Sequence, residues 1–272
     1  MKKSTKNLKG KLPISVFIIT KNEEDRIKYA INSVKGWVDE IIVVDSGSTD
    51  KTIEIAKECG ADQILFNQWH GYGPQKTFAE KLCKNEWILN IDADEEVSPA
   101  LKKEIINLFE KGSINKYSAY RIAVKFLPRF QKMSERSFGP EEIVTRLYNK
   151  SKAGFKASKV HDSVVVNVGK IGNLKHKMMH RCFRSFTHAL EKINFYTSMQ
   201  AEDMFIKGRC PSLLRIFCEP FWTFLRSYIV EKYIFLGTEG FLMSIIYGIS
   251  RTTRLIKTRE KFMQVNSECS IK

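Results

Sequence analysis

Two aspartates one residue apart, Asp92 and Asp94, follow the apolar run Trp87-Ile88-Leu89-Asn90-Ile91 and precede Glu95 and Glu96. Such a run reads as a buried strand, so the acidic pair emerges at its carboxyl end, where open α/β sheets bind their ligands. Carboxylates crowded in this way repel one another unless a cation neutralises them, and hard oxygen donors suit Mg²⁺ or Mn²⁺ carrying a diphosphate. The chemistry indicated is metal-assisted handling of a nucleotide. The same residues also fit an exposed turn into a helix, because Ser98 is a good N-cap and Pro99 suits the first helical position.

The elements that must position this pair are legible upstream. Residues 14–20 and 40–45 are β-branched, nearly continuous apolar runs, each broken by polar segments, Lys21-Asn22-Glu23-Glu24 and Ser46-Gly47-Ser48-Thr49-Asp50. Between them Ile27, Ala30, Ile31 and Val34 recur at helical spacing; a second helix is predicted over 52–59 and closed by Gly60, a strand over 61–66 and a helix over 75–82. Strands alternating with helices imply right-handed crossovers and a mostly parallel sheet covered on both faces. In that geometry Thr20 to Glu23, Asp45 to Ser48 and Asp92 to Asp94 meet along one rim although they are far apart in sequence. Neither GxGxxG nor a Walker sequence is present, so neither a dinucleotide fold nor a P-loop is supported.

Beyond Glu110 the pattern changes. Strands are expected over 117–126 and 160–168, separated by a Lys- and Arg-rich loop around 128–140, with a turn at 169–173 and a helix over 184–207. His180 and His188 fall on the helical side of this division and receive no catalytic role. Residues 212–261 read as helical and aromatic, yet charged residues such as Arg215, Glu219, Arg226 and Glu231 interrupt the roughly 20 apolar residues that a membrane span requires. Aromatics with basic flanks suit either a helix lying in a membrane interface or an ordinary helical cap.

The 272 residues carry a formal net charge of +15, which implies an anionic partner: nucleic acid, phospholipid headgroups or a phosphorylated substrate. The excess is concentrated between Gly112 and Val160, where 11 Lys/Arg face 3 Asp/Glu, while the acidic motif lies earlier. No zinc-finger spacing, RNP-like signature or recognition helix is evident, so a nucleic-acid partner is not expected. Six scattered cysteines form no CxxC pair and read as free thiols of a reducing cytosol. The basic segment 1–12 lacks the apolar core of a signal peptide, and export is not expected.

Residues 15–24, IIVVDSGSTDKT (41–52) and WILNIDADEEVS (87–98) together resemble the family 2 glycosyltransferases. More narrowly, Gly71-Tyr72-Gly73-Pro74-Gln75-Lys76, Val160-His161-Asp162, residues 192–197 and the aromatic tail resemble the branch that adds glucose or a related hexose to the lipopolysaccharide inner core. The resemblance implies a GT-A fold: an α/β domain over 13–180 with a mostly parallel sheet flanked by helices, preceded by a basic arm (1–12) and followed by a helical, aromatic, membrane-associating extension (181–272).

It further implies an inverting transfer of a hexose from UDP-glucose to a lipopolysaccharide core or related glycolipid, by a cytoplasmic enzyme peripheral on the anionic inner face of the inner membrane. A polyprenyl phosphate or protein-linked glycan acceptor, or a non-catalytic lipid-binding module, are the alternatives. A haloacid-dehalogenase-type phosphatase also carries Asp-x-Asp after a strand, but there the motif opens the domain and continues into Thr or Val. Under the resemblance Asp45 accepts a hydrogen bond from uracil, its bland alternative being an Asx turn with Gly47 or Ser48. Thr20, Asn22, Glu23 and Ser46 line the nucleotide, Asp92 faces the ribose or metal, and Asp94 holds Mg²⁺ or Mn²⁺. Arg146 is similar to an arginine of the active-site floor that steadies the diphosphate or an acidic acceptor, the alternative being a solvated face. Lys76-Thr77 stands where relatives carry Arg-Asn, and Lys keeps the charge without the planar fork. Asp162 stands where relatives show Glu in Val-His-Glu; it is the expected base, one methylene shorter, with Glu95 and Glu96 as fallbacks.

Overall fold

The computed structural model describes residues 10–127, 141–155, 163–181 and 184–270. In chain order the elements are β1 (Leu12–Thr20), α1 (Ile27–Val34), β2 (Val38–Asp45), α2 (Thr52–Cys59), β3 (Gln63–Phe66), α3 (Tyr72–Leu82), β4 (Trp87–Asp92), β5 (Glu95–Val97) and α4 (Pro99–Glu110). After a 3₁₀ turn (Ile114–Lys116) come β6 (Ala119–Leu127), β7 (Glu141–Asn149), β8 (Ala153–Phe155), β9 (Val164–Val166) and β10 (Ile171–Arg181). A second compact unit follows, containing α5 (Phe186–Ile206), α6 (Leu213–Leu225), a π-helical turn (Arg226–Val230), a 3₁₀ turn (Tyr233–Leu236) and α7 (Thr238–Ser270).

Alternation along the first strands explains why the sheet is covered on both sides. Ile14, Val16 and Ile18 of β1 and Ile41 and Val43 of β2 enter one apolar cluster with α1, α2 and α4, whereas Phe17, Ile19, Ile42 and Val44 enter another with Ala79 and Cys83. Eight strands run in the order β3-β2-β1-β4-β7-β6-β10-β5. Pairing is parallel through β3, β2, β1 and β4, and antiparallel where β4 meets β7, β7 meets β6 and β10 meets β5. The chain passes from β1 to β2 on one side and returns to β4 on the other, so β1 stands at a topological switch, where such sheets open a crevice. The α/β class and the GT-A arrangement of a parallel sheet flanked by helices are as expected.

Several sequence-based boundaries are corrected. Residues 169–173, predicted as a turn, include the start of β10, whose run Lys175-His176-Lys177 shows no clean apolar alternation. Its buried methionines, Met178 and Met179, pair with Val97 and Glu96 of β5. β5 itself lies in what reads as an acidic turn. From the expected strand over 160–168 only β9 falls among the described residues. The helix predicted over 75–82 begins at Tyr72, since Gly71 at φ 114° supplies a turn that a bulkier residue resists.

Ser98 does cap a helix as its type predicts, its Oγ accepting the Leu101 N–H at 3.1 Å, with Pro99 in the first turn of α4. Ser98→Ala is expected to cost about 1 kcal/mol. A urea unfolding curve displaced to lower midpoint at unchanged slope checks it.

In the second unit α5 and α7 pack through Ala189, Ile193, Met243 and Ile246. A Cβ at Gly240 would lie 1.8 Å from the Tyr233 carbonyl oxygen, so only glycine lets α7 start against the preceding 3₁₀ turn. α6 has no buried residue, and Leu213, Leu214, Phe217 and Phe221 face outward. Among the described residues no helix is long and apolar enough to cross a membrane.

Candidate active site

The parallel strands end together. In the backbone register Thr20 pairs with Asp45 and Ile19 with Asp92, so the polar ends of β1, β2 and β4 are neighbours at one edge, as the alternation of elements predicts. Two loops fasten to each other there. Asn22 adopts φ 55°, a left-handed conformation that Asn tolerates, and its Oδ1 accepts the Thr49 N–H at 2.8 Å. The Glu23 N–H donates to Thr52 Oγ1 at 2.7 Å and the Asn22 N–H to Ser48 Oγ at 2.9 Å.

Asp45 is buried and accepts from the Gly47 and Ser48 amides at 2.7 and 2.9 Å and from the Ser48 hydroxyl. This is the Asx turn, with Gly47 at φ 94° closing it. Three bonds leave a carboxylate with one of its roughly four acceptor directions. Ser46 donates its N–H to the Thr20 carbonyl at 3.0 Å, and its Oγ receives Gln75 Nε2 at 3.0 Å, which ties the start of α3 to the rim.

Asp92 is committed to basic residues on both oxygens. Lys76, from α3, places Nζ 3.0 Å from Oδ1, and Arg146, from β7, places Nη2 2.7 Å from Oδ2. The same Nη2 lies 2.6 Å from Glu95 Oε1, and Arg146 Nη1 donates to Asn90 Oδ1 at 2.7 Å. Arg146 is 9% exposed, which rules out the solvated face. Burial disfavours the Asp92 anion, but the Arg146 and Lys76 charges outweigh it and hold the carboxyl below its usual range. At Glu95 burial, reinforced by the Asp92 charge, prevails over Arg146, and its pKa is raised. Burial likewise opposes the Arg146 cation, yet Asp92 and Glu95 together raise its pKa. Repulsion among these carboxylates, taken from the sequence as a demand for metal, is therefore largely answered by protein cations.

Asp94 has different neighbours. Its Oδ2 lies 3.0 Å from His180 Nε2 and 3.3 Å from Arg26 Nη1, and its backbone carbonyl accepts the Arg181 N–H at 2.8 Å. Arg26 is buried, forked onto Glu23 through Nε and Nη2 at 2.7 Å each, and donates Nη1 to the Arg181 carbonyl. Glu23, expected along the nucleotide, is thus held by Arg26. Glu96 pairs with Arg181.

His180 and Arg26 are the functional candidates that sequence reasoning missed. His180 is on β10, not on the helical side, and antiparallel pairing with Glu95 brings it to Asp94. Arg26 carries no local signal that marks it for burial. Asp162 and His161 lie outside the described residues.

Two donors, the Asp94 carboxylate and the His180 imidazole, face each other closely enough to share a divalent cation; among the described residues no group of three His, Cys, Asp or Glu gathers. That set fits an ion whose remaining positions are filled by diphosphate oxygens and water. Three buried polar atoms along the rim, Thr20 Oγ1, Asn90 Nδ2 and Arg146 Nε, meet no hydrogen-bond partner among the described residues. Buried polar groups are seldom left so; their usual partner is an ordered water or a ligand.

Residues 15–173 match the model of glycosyl transferase family 2. A Rickettsia bellii protein named as an uncharacterized glycosyltransferase is 44% identical over 261 residues, spanning 93% of this chain and 88% of its own length. The lipopolysaccharide core biosynthesis glycosyltransferase LpsC of Rhizobium meliloti is 30% identical over 242 residues, 85% of this chain and 86% of LpsC. Among solved structures S. aureus TarS is similar at TM-score 0.47 and 15% identity, over 93% of this chain and 92% of that one. With the family match covering more than half of its residues and a relative 44% identical over 93% of its length, the chain is an enzyme that belongs to the family 2 glycosyltransferases.

Proposed function

We propose that the protein transfers a hexose, glucose, from UDP-glucose with inversion to a lipopolysaccharide core or related glycolipid, working as a peripheral enzyme on the anionic cytoplasmic face of the inner membrane. The observation that carries the donor reading is the adjacency of Thr20, Asp45 and Asp92 at one strand edge with Asp94 facing His180. The LpsC relationship supports the acceptor class.

In this reading the remaining acceptor direction of Asp45 takes the uracil N–H, Thr20 Oγ1 gains the partner it lacks, and Asn22 and Ser46 line base and ribose. Glu23 acts through Arg26, and Arg146 and Lys76 hold Asp92 ionised toward the ribose. Asp94, with His180, holds the divalent ion, which when bound neutralises charge on the departing nucleoside diphosphate. Imidazole beside carboxylate favours Mn²⁺ over Mg²⁺, since Mg²⁺ prefers oxygen alone. Asp162 is the proposed base that takes the acceptor hydroxyl's proton, a reading supported by the engagement of the fallback candidates Glu95 and Glu96 with arginines. Residues 13–180 form the donor and acceptor domain behind a basic arm (1–12), with the basic middle of the chain and the aromatic extension 181–272 docking it to the membrane.

The test is UDP release from a panel of UDP-hexoses with Mn²⁺, with and without lipopolysaccharide core acceptor. Asp162→Asn is expected to keep UDP affinity and to lose about 10²- to 10⁴-fold in transfer. Unchanged transfer by that variant removes Asp162 from the mechanism; transfer to polyprenyl phosphate or a glycoprotein in place of the core acceptor reassigns the substrate.

A further inference from the structure

The second unit encloses a basic cavity of about 370 Å³, lined by Gln200, Asp203, Met204, Arg209, Arg215 and Arg254 from the end of α5, the loop after it, α6 and α7. Three of its lining residues are arginines. Of the two nearby carboxylates, Asp203 is held by Lys207 Nζ at 2.6 Å and Glu219 by Arg215 Nε at 3.7 Å. Arg254 Nε is buried and meets no hydrogen-bond partner among the described residues. Burial and the charges of Arg251 and Arg215 lower the Arg254 pKa in spite of Glu219, a state that an added anion would reverse. The loop carrying Arg209 is fixed, its N–H bonded to the Met204 carbonyl at 2.9 Å and the Pro211 carbonyl held by Arg259 Nη1 at 2.9 Å.

We propose that this cavity is a second ligand site, for a phosphate group, with Arg254 at its floor and Arg209 and Arg215 at its rim. Guanidinium forks match phosphate oxygens in pairs, and here three arginines share one neighbouring acid, Glu219, at the long distance of 3.7 Å from Arg215, while Asp203 is taken by Lys207. The site uses no residue of the donor rim and stands independently of the sugar-nucleotide reading. The phosphate belongs to a lipid headgroup or is free in solution; the lipid source is favoured by α6, which exposes Leu213, Leu214, Phe217 and Phe221 along one stripe while Arg215 occupies another face of the same helix.

The experiment uses the full chain with two probes: inorganic phosphate by calorimetry, and phosphatidylcholine vesicles with and without phosphatidic acid by co-sedimentation. Arg254→Gln and Arg209→Gln are each expected to weaken binding about tenfold, the loss of one charge-assisted hydrogen bond. Arg209 is exposed, so its substitution cannot act by unfolding, and unchanged UDP affinity checks both variants. Arg226→Gln, an equal loss of charge at a residue paired with Glu231, has the smaller effect. Phosphatidic-acid-dependent sedimentation lost in both cavity variants assigns the lipid source. Phosphate binding with the same arginine dependence but no vesicle preference assigns the soluble one. Absence of phosphate heat with equal sedimentation of all variants, or a loss in Arg226→Gln as large as in Arg254→Gln, overturns the site.

Discussion

Asp94→Ala is expected to lower kcat about a thousandfold while the protein stays folded, the scale of removing a group that holds the cation against the departing diphosphate. The two aspartates of the motif are not equivalent. Asp92 spends both oxygens on Lys76 and Arg146, whereas Asp94 faces an imidazole that can join it on a cation. Folding survives because Arg26, the buried cation beside Asp94, keeps its fork to Glu23 and its bond to the Arg181 carbonyl. Turnover of UDP-hexose and a thermal melt with and without Mn²⁺ and UDP provide the measurement. The wild type melts higher with both ligands present, and that rise disappears in Asp94→Ala and in His180→Ala. Turnover within about tenfold of wild type in Asp94→Ala would remove the metal role.

Arg146→Met carries the largest expected cost in stability, about 3–5 kcal/mol, because it strips Glu95 of its cation and leaves Asp92 with Lys76 alone. The melting temperature falls by about 10 °C. Glu95 bears most of this, being 3% exposed with its pKa already raised. Adding Glu95→Gln removes the stranded charge while keeping an oxygen for the Asp92 N–H, so the double variant is more stable than Arg146→Met alone.

The pH dependence has a defined sign. Asp92, held below its ordinary value, stabilises the fold above that value, and the contribution is lost as pH falls through the depressed one. Glu95, held above its ordinary value, costs stability while ionised, and the cost is relieved as pH falls. Without Arg146 the first effect shrinks and the second grows, so the gap between wild type and Arg146→Met narrows as pH drops from 7 toward about 4. A constant gap across that range contradicts the network.

Much of the site was legible because strand ends announce themselves. The runs ending at Thr20, Asp45 and Asp92 are apolar on both faces, the pattern of parallel strands under two helix layers, and each stops at polar residues that cannot continue into the core. Ser98 and Gly60 likewise end or begin helices by local chemistry alone. β10 was not legible: its burial comes from β5 and α4 packed against it, and its own pattern of Lys and His carries no period. His180 was therefore misplaced, and with it the partner of Asp94.

By itself the sequence determined the alternating α/β order, the polar rim at the ends of β1, β2 and β4, and the candidates on it, since hydrophobic period and capping are properties of neighbours in the chain. Only the tertiary structure decided how those charges are shared: that Arg146 and Lys76 hold Asp92, and that Arg26 and His180 stand beside Asp94. Ion pairs form between side chains as many as 86 residues apart, at distances set by strand register, and no local pattern of residue types encodes that register.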